Sequence, residues 1–184
     1  MKNTIFLAVF ILSFSVNAQE NVKYQKPSKE ILNLVEFERP PSVLYDEQKN
    51  HMVFIYRDNY KSISDLSEKE LRLGGLRINP KTNIGSRVTF YNNVKIKNLN
   101  DKNGTINQVN GLPENPKLSN FSWSPDQTRI ALTNTTSEGV ELWLLDLKTG
   151  SVSKLTKPNL NANIGSVINW SVDSKSMLVK VISP

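Results

Sequence analysis

The chain has 184 residues, of which 38% are apolar, with no cysteine, one histidine and a formal net charge of +6. The absence of cysteine excludes a disulfide framework, so the fold must be held together by its core. Lysine and arginine are dispersed without a block of five or six, which argues against a nucleic-acid-binding patch.

Residues 1–18 have the pattern of a secretory signal peptide. Lys2 precedes an apolar stretch from Ile5 to Val16, and Val16 and Ala18 give the small-residue spacing of a cleavage site. This stretch of about a dozen residues is too short for a helix to span a bilayer core of roughly 30 Å. We therefore predict cleavage after Ala18 and a secreted or periplasmic mature protein without a membrane span.

Residues 19–41 are predicted to form an N-terminal arm. They are polar with scattered apolar positions, and Ser28 is placed to open a short helix. The pair Pro40-Pro41 forces an extended exit from the arm, because proline cannot continue a helix and restricts the residue before it. We expect the arm to pack on the first sheet.

Two strand-like runs, Val43–Asp46 and Met52–Tyr56, open the rest of the chain, residues 42–184. The segment Ser62–Leu71 then places serine and aspartate ahead of acidic residues and leucine at helical spacing. This pattern predicts one or two helical turns inserted in a sheet.

A glycine pair, Gly74-Gly75, interrupts the apolar run Leu71–Ile78. The surrounding sequence has neither the G-x-G-x-x-G spacing nor a P-loop lysine and hydroxyl pair, so it does not predict a phosphate site. A bulge or a close approach between sheets is the predicted role. Strands are then expected at Val88–Tyr91 and Val94–Leu99, followed by a hairpin turn at Asp101–Gly104.

The segment Ser119–Thr156 contains four strand-like runs separated by turn-forming residues. The third run, Val140–Leu147, is almost continuously apolar, as expected of a strand that is buried on both sides. The four runs predict an antiparallel meander: Asn120–Ser124, Arg129–Asn134, Val140–Leu147 and Ser151–Leu155.

A short motif repeats within the chain. Trp123-Ser124-x-Asp126 recurs 47 residues later as Trp170-Ser171-x-Asp173, and an apolar run follows each copy, the second at Met177–Ile182. We expect the tryptophans to pack between sheets and the aspartates to brace turns by accepting backbone N–H bonds. A weaker, earlier copy begins at Val43.

A repeat of about 40 to 50 residues with four strands each is typical of β-propeller blades. The predicted fold is therefore all-β: a partial β-propeller of about three four-stranded antiparallel blades, the last incomplete, over residues 42–184. An open array exposes a strand edge, so we expect it to be part of something larger or to self-associate.

The sequence offers little for catalysis. His51 is the only histidine and no G-x-S-x-G motif occurs, so a serine hydrolase site is not predicted and His51 is interpreted as a surface or turn residue. The carboxylates are scattered, and the pairs Asp46-Glu47 and Glu68 with Glu70 are interpreted as solvated faces. We accordingly predict no catalytic residue, no metal ligand and no cofactor.

The chain nevertheless resembles a known family. The most distinctive run is LRLGGLRINPKTNIGSRVTFYNNVKIKNL (Leu71–Leu99), followed by NGLPENPKLSNFSWSPD and ELWLLDLKTGSVSKLT. These segments resemble the N-terminal propeller of secreted bacterial serine peptidases of the prolyl oligopeptidase (S9) family, in the branch that includes the chloroplast glutamyl endopeptidases. The resemblance implies a propeller that limits access to a following α/β-hydrolase domain with a Ser-Asp-His triad.

The resemblance leads to one functional hypothesis and one alternative. The chain is predicted to be the exported, non-catalytic propeller portion of an S9-type serine peptidase, selecting peptide substrates for a hydrolase domain that these residues do not contain. The alternative is a stand-alone periplasmic binding or scaffold protein of propeller type, similar to TolB.

Overall fold

The computed structural model describes residues 25–182, and the predicted signal peptide, residues 1–18, lies outside them. The chain divides into two compact units, Met1–Phe37 and Glu38–Pro184. In the first unit, helix α1 (Lys29–Val35) follows Ser28, as predicted, and ends where Glu36 donates a backbone hydrogen bond of 2.8 Å to Leu32. The packing of the arm on the first sheet stays a prediction.

The second unit is built from short antiparallel strands with one helical turn, α2, between the second and third strands. Its elements in chain order are β1 (Ser42–Tyr45), β2 (His51–Tyr56), α2 (Ile63–Ser67), β3 (Leu71–Leu73), β4 (Leu76–Asn79), β5 (Ile84–Gly85), β6 (Asn93–Asn98), β7 (Asn107–Gln108), β8 (Leu118–Trp123), β9 (Arg129–Thr135), β10 (Val140–Asp146), β11 (Ser151–Lys154), β12 (Ile168–Trp170) and β13 (Met177–Val179).

These strands form four separate sheets. The first sheet has the order β1-β2-β6-β7, the second β8-β9-β10-β11, the third is the pair β12-β13, and a small three-stranded sheet has the order β3-β4-β5. Every pairing within them is antiparallel. The described part of the chain is therefore mainly β, as predicted, and the four-stranded meander lies within two residues of its expected bounds.

The second sheet is buried on both faces. Leu132 and Leu145 belong to an apolar cluster shared with the first sheet, whereas Ala131 and Leu142 belong to a cluster that includes Ile168 of the third sheet. Adjacent residues of one strand point to opposite faces, so β9 and β10 supply both clusters. The nearly continuous apolar run in β10 has the two-sided burial that the sequence predicted.

The two copies of the repeated motif form the same turn. In the β8–β9 connection, Ser124 Oγ accepts a hydrogen bond from the Arg129 N–H (3.0 Å) and Asp126 Oδ1 accepts one from the Thr128 N–H (3.2 Å). Gln127 in this turn has a positive φ of 58°.

The β12–β13 connection repeats this arrangement. Ser171 Oγ accepts from the Ser176 N–H (3.2 Å), Asp173 Oδ1 accepts from the Lys175 N–H (3.0 Å), and Ser174 has a φ of 59°. Both aspartates thus brace turns, as predicted.

The tryptophans that precede these turns pack against different clusters. Trp123 contacts the cluster between the first and second sheets, and Trp170 contacts the cluster between the second and third. Trp170 also donates its Nε1–H to the Ser122 carbonyl (3.2 Å), which joins the third sheet to the second. The predicted position of the tryptophans between sheets is confirmed.

A third copy of the turn lies between β1 and β2. Asp46 takes the place of Ser124: its Oδ1 accepts from the His51 N–H (3.2 Å), and its carbonyl accepts from Lys49 (3.1 Å), which has a φ of 57°. The weaker copy expected near Val43 therefore has the geometry of the other two.

Neighbouring turns are hydrogen-bonded to one another in sequence order. The Glu47 N–H donates to Gln127 Oε1 (3.3 Å) in the second turn, and the Asp126 N–H donates to Ser174 Oγ (2.9 Å) in the third. The same end of each sheet is therefore joined to the same end of the next.

Two predictions for the segment between β2 and β6 were wrong. Gly74 and Gly75 form neither a bulge nor a close approach: both have positive φ, 53° and 87°, in the two-residue turn of the β3–β4 hairpin. Such a turn favours glycine because both central residues are left-handed. Val88–Tyr91 is not a strand, although Tyr91 makes an isolated bridge to Leu118, because the chain there leaves the small sheet and returns to the first.

Candidate functional site

Residues 57–92 form an excursion between two adjacent strands of the first sheet, and we call this segment the insertion. Its base is closed where the Asn92 N–H donates to the Tyr56 carbonyl (2.8 Å) and the Asn92 side chain donates to Asp58 (2.8 Å). Since β2 and β6 pair directly, the insertion adds α2 and the three-stranded sheet without breaking the first sheet.

An ion pair ties the insertion to the segment that leads into the second sheet. Ser62 caps α2 by accepting from the Asp65 N–H (3.0 Å), and Lys117 Nζ lies 2.6 Å from Asp65 Oδ1. The hydrogen bond from Lys117, followed by that from Ser62, holds the pKa of Asp65 below its usual value. The insertion is therefore fixed to a residue distant in sequence.

Glu70 organises the inside of the insertion. Its carboxylate accepts from Ser86 Oγ, Arg72 Nε (2.9 Å) and Arg77 Nη1 (2.9 Å). The hydrogen bonds from Ser86 and Arg72, with the charge of Arg77, lower the pKa of Glu70 to about 2. The prediction of a solvated Glu68–Glu70 pair holds for exposed Glu68 and is wrong for Glu70, because two arginines and a serine partly enclose it.

Two adjacent cavities of about 310 Å³ each lie along the insertion. They share four wall residues: Glu68, Ser86, Phe90 and Lys117. We call the pair the insertion cleft, and distinguish the aromatic cavity, which Tyr60 and Tyr91 also line, from the hydroxyl cavity, which Thr82 and Thr135 also line. A site of this size accepts a small molecule or a short piece of chain.

The hydroxyl cavity contains buried polar atoms without a partner. Thr82 is 7% exposed and Thr135 9% exposed, and neither Oγ1 has a hydrogen-bond partner among residues 25–182. The Nε atom of Arg57, a residue that lines the aromatic cavity, is also buried and has no hydrogen-bond partner among residues 25–182. These three atoms have almost no accessible surface, so they are enclosed by the walls of the cleft and do not face a molecule inside it.

The charged groups of the cleft are mostly paired within the fold. Asp58 accepts from Asn92, Glu68 accepts from Asn79, and Lys117 is bound to Asp65. Lys117 Nζ also lies 5.8 Å from the centre of the Phe90 ring, which is within cation–π range. The arrangement offers recognition groups and no activated nucleophile.

His51 lies at the other end of β2, beside a cavity of about 450 Å³. Its Nδ1 is 3.0 Å from Asp46 Oδ2. Burial would raise the pKa of Asp46, but hydrogen bonds from the His51 ring and from the His51 and Asn50 N–H groups outweigh it, and the pKa is lowered. His51 is the first residue of β2 and its ring contacts the preceding turn, whereas Asp46 is only 4% exposed, so the prediction that Asp46 belongs to a solvated pair was wrong.

Within residues 25–182, no group of three or more His, Asp or Glu side chains is placed to hold a metal ion. No helix in the same range is long and apolar enough to cross a membrane. Sequence reasoning did not find the cleft, since Thr82, Thr135 and Lys117 are common residue types that only the packing of the insertion brings together.

The chain is similar to two plant proteins named as peptidases. It is 31% identical over 171 residues to a probable chloroplastic glutamyl endopeptidase of Oryza sativa subsp. japonica, covering 86% of this chain and 18% of that protein. It is 28% identical over 170 residues to a protein of the same name from Arabidopsis thaliana, covering 86% and 17%. The chain thus spans less than a fifth of the length of these relatives. No family model matches the chain.

Proposed function

We propose that this chain is the non-catalytic propeller portion of an exported serine peptidase of the prolyl oligopeptidase (S9) type, where it selects peptide substrates. The observation that carries the proposal is the similarity to two proteins named glutamyl endopeptidase over 86% of this chain. The hydrolysis itself is assigned to an α/β-hydrolase partner domain.

The repeated turns support the propeller part of the proposal. In three sheets the first two strands are joined by the same hydrogen-bonded turn. The first turn is hydrogen-bonded to the second and the second to the third. The second sheet lies between two apolar clusters, as a blade does between its neighbours. We propose that the first and second sheets are complete blades and that β12-β13 begins a third.

The proposal that this chain is non-catalytic rests on its single histidine. A serine peptidase needs a histidine that removes the proton from the nucleophilic serine. The sequence has one histidine, His51, and its ring is bound to Asp46 in a turn. Among residues 25–182 the His51 ring is hydrogen-bonded to Asp46, and a triad would also need a serine hydroxyl on the histidine, so we assign binding and access to this chain.

Export remains the proposed location, with residues 1–18 as the signal peptide. Sequencing the N-terminus of the protein from its natural host tests it. We expect the mature chain to begin at Gln19, and an intact Met1 on the exported protein would contradict the proposal.

An active-site probe tests the peptidase assignment. An antibody against this chain should precipitate, from the exported fraction of the natural host, a species that a fluorophosphonate labels on serine. The purified 184-residue chain should neither react with the probe nor cleave peptides. Labelling of the purified chain would overturn the non-catalytic role, and a precipitate without any labelled species would overturn the link to a serine peptidase.

A further inference from the structure

The cavity of about 450 Å³ beside His51 lies at one end of the first two sheets, and we call it the sheet-end cavity. His51 of β2 is paired with Asn98 of β6, and Asn107 of β7 is paired with Ile96. Paired residues, and residues two apart on one strand, share a face of the sheet. These side chains therefore lie on the face that carries Ile96 of the apolar cluster shared with the second sheet. The second sheet contributes the β10–β11 turn, which includes Lys148.

Two carboxamides that line this cavity have spare amino groups. Asn98 Oδ1 accepts from the Asn100 N–H (2.9 Å), and Asn107 Oδ1 accepts from the Thr105 hydroxyl (3.1 Å). Neither Nδ2 group donates to another residue among residues 25–182. Asn98 and Asn107 are both exposed. With their oxygens in use, the two side chains offer the cavity N–H donors.

The charged groups that line the cavity are basic. Among the described residues, its walls contain no aspartate or glutamate, and Lys148 has no ion-pair partner. The His51 ring uses Nδ1 to bond Asp46 Oδ2 (3.0 Å), and Asp46 is only 4% exposed, so the opposite ring edge with Nε2 is the part left for the cavity. An anion beside the ring favours its protonated form, in which Nε2 is also a donor. The insertion cleft, in contrast, is lined by three carboxylates.

We propose that the sheet-end cavity binds a small oxyanion group, a phosphate or a carboxylate, between Lys148 and the N–H groups of Asn98 and Asn107, with His51 as a further donor. The ionised oxygens of such a group accept hydrogen bonds, and bonds from N–H donors to a charged oxygen are stronger than those between neutral groups. A carboxylate in the wall would repel the anion, and the described walls have none. The cavity lies at the opposite end of β2 from the insertion, and the proposal does not depend on the peptidase assignment.

The test is a nuclear magnetic resonance titration of the full chain, labelled with ¹⁵N, at constant ionic strength. Inorganic phosphate and acetate are the two probes, and sodium chloride is the reference anion. We expect saturable shifts of the side-chain amide signals of Asn98 and Asn107 and of the backbone amides of residues 148–150. Tighter binding of phosphate would assign a phosphoryl ligand, and tighter binding of acetate would assign a carboxylate ligand. No saturable shift with either probe, or the same shifts with chloride, would overturn the proposal.

Isosteric variants locate the site. Asn98→Asp and Asn107→Asp each keep the accepting oxygen and replace the spare N–H group with an anionic oxygen, so each should weaken binding of the preferred probe at least about tenfold. Lys148→Gln removes the unpaired charge and should weaken it about 2- to 10-fold. Asn159→Asp is the control, because it makes the same change in net charge at an exposed position outside the sheet-end cavity and the insertion cleft. It should bind the probe as the parent does.

Thermal unfolding without added phosphate or acetate separates a lost site from a lost fold. The three site variants should melt within about 4 °C of the parent, because substitutions at exposed positions change stability little. If one of them unfolds, the other two decide the outcome. Binding that is unchanged in the folded site variants would overturn the proposal. Binding that Asn159→Asp weakens as much as they do would also overturn it, because net charge alone would then explain the result.

Discussion

The second sheet and the insertion are held by different forces, although both pack within the same unit of the chain. The second sheet buries Ile130, Leu132 and Leu145 completely, and its stability comes from apolar contact on two faces. The insertion joins the core through Ile84, which is 2% exposed, but it leaves Ile63 86% and Leu73 58% exposed and adds a polar cluster of Glu70 and its arginines. The sheets thus carry a connection that is anchored at one buried residue and exposes much of its remaining apolar surface.

Leucine truncation should separate the two regions most clearly. Leu132→Ala removes a fully buried side chain from the second sheet and should cost about 2–5 kcal/mol in free energy of unfolding. Leu73→Ala in the insertion should change it by about 0.5 kcal/mol or less, because that side chain is mostly exposed. Urea unfolding measures both free energies, and equal losses would show that Leu73 is packed as tightly as Leu132.

The next largest loss of stability is expected where a substitution would strain the backbone at a glycine. Gly139 has a φ of 147°, and a Cβ there would lie 2.2 Å from the Pro158 carbonyl oxygen. Gly139→Ala should therefore destabilise the second sheet by about 1–3 kcal/mol. At Gly75 of the insertion hairpin a Cβ meets open space, so Gly75→Ala should lose less, and thermal unfolding compares the two variants. A larger fall in melting temperature for Gly75→Ala than for Gly139→Ala would contradict the close approach of Gly139 to Pro158.

Acid should act on the insertion through Glu70. Its pKa is lowered from 4.5 to about 2, so its bonds add stability that is complete above pH 4.5 and is lost as the pH falls towards 2. We expect protease cleavage within the insertion to increase over this range. The Glu70→Gln variant should be cleaved readily within the insertion at pH 6, and its cleavage should no longer depend on pH. The Glu47→Gln variant, at an exposed position, should behave as the parent. A parent insertion that resists cleavage down to pH 2 would contradict the role of Glu70.

The ion pair that joins the insertion to the segment before the second sheet should contribute least to the free energy of unfolding. The Asp65–Lys117 pair is partly exposed, with side-chain exposures of 28% and 41%, so its coupling energy should be about 0.2–1 kcal/mol and should decline with salt. A double-mutant cycle with Asp65→Asn and Lys117→Gln measures it and removes the separate contribution of the α2 cap. A coupling that is unchanged at 1 M salt would contradict a screened pair.

The same contrast explains what could be predicted from the sequence. Strands β8 to β11 were predicted because apolar alternation and turn residues agree there, and the W-S-x-D repeat located two of the three turns. The Asp46 turn was harder to recognise because an aspartate replaces the capping serine. In the insertion, Gly74-Gly75 stood in an apolar run that resembles a strand interior, and left-handed φ values are not visible in a sequence.

The cleft was missed for a related reason. Thr82 and Thr135 stand far apart in the chain, and nothing in either local sequence distinguishes an unpaired buried hydroxyl from one that is bonded. Glu70 was assigned to a solvated face because its partners, Arg77 and Ser86, come close only when β4 and β5 fold back. Composition predicts that this chain holds no complete triad, since a single histidine limits the possible chemistry directly, and this stays a prediction.

Native-state hydrogen exchange tests the central claim, that the buried sheets form a rigid frame and that the insertion is attached to it while its outer hairpin is loosely packed. The account predicts the slowest amide exchange in β9 and β10 and much faster exchange in the exposed β3–β4 hairpin. Exchange in the β3–β4 hairpin that is as slow as in β9 and β10 would contradict it.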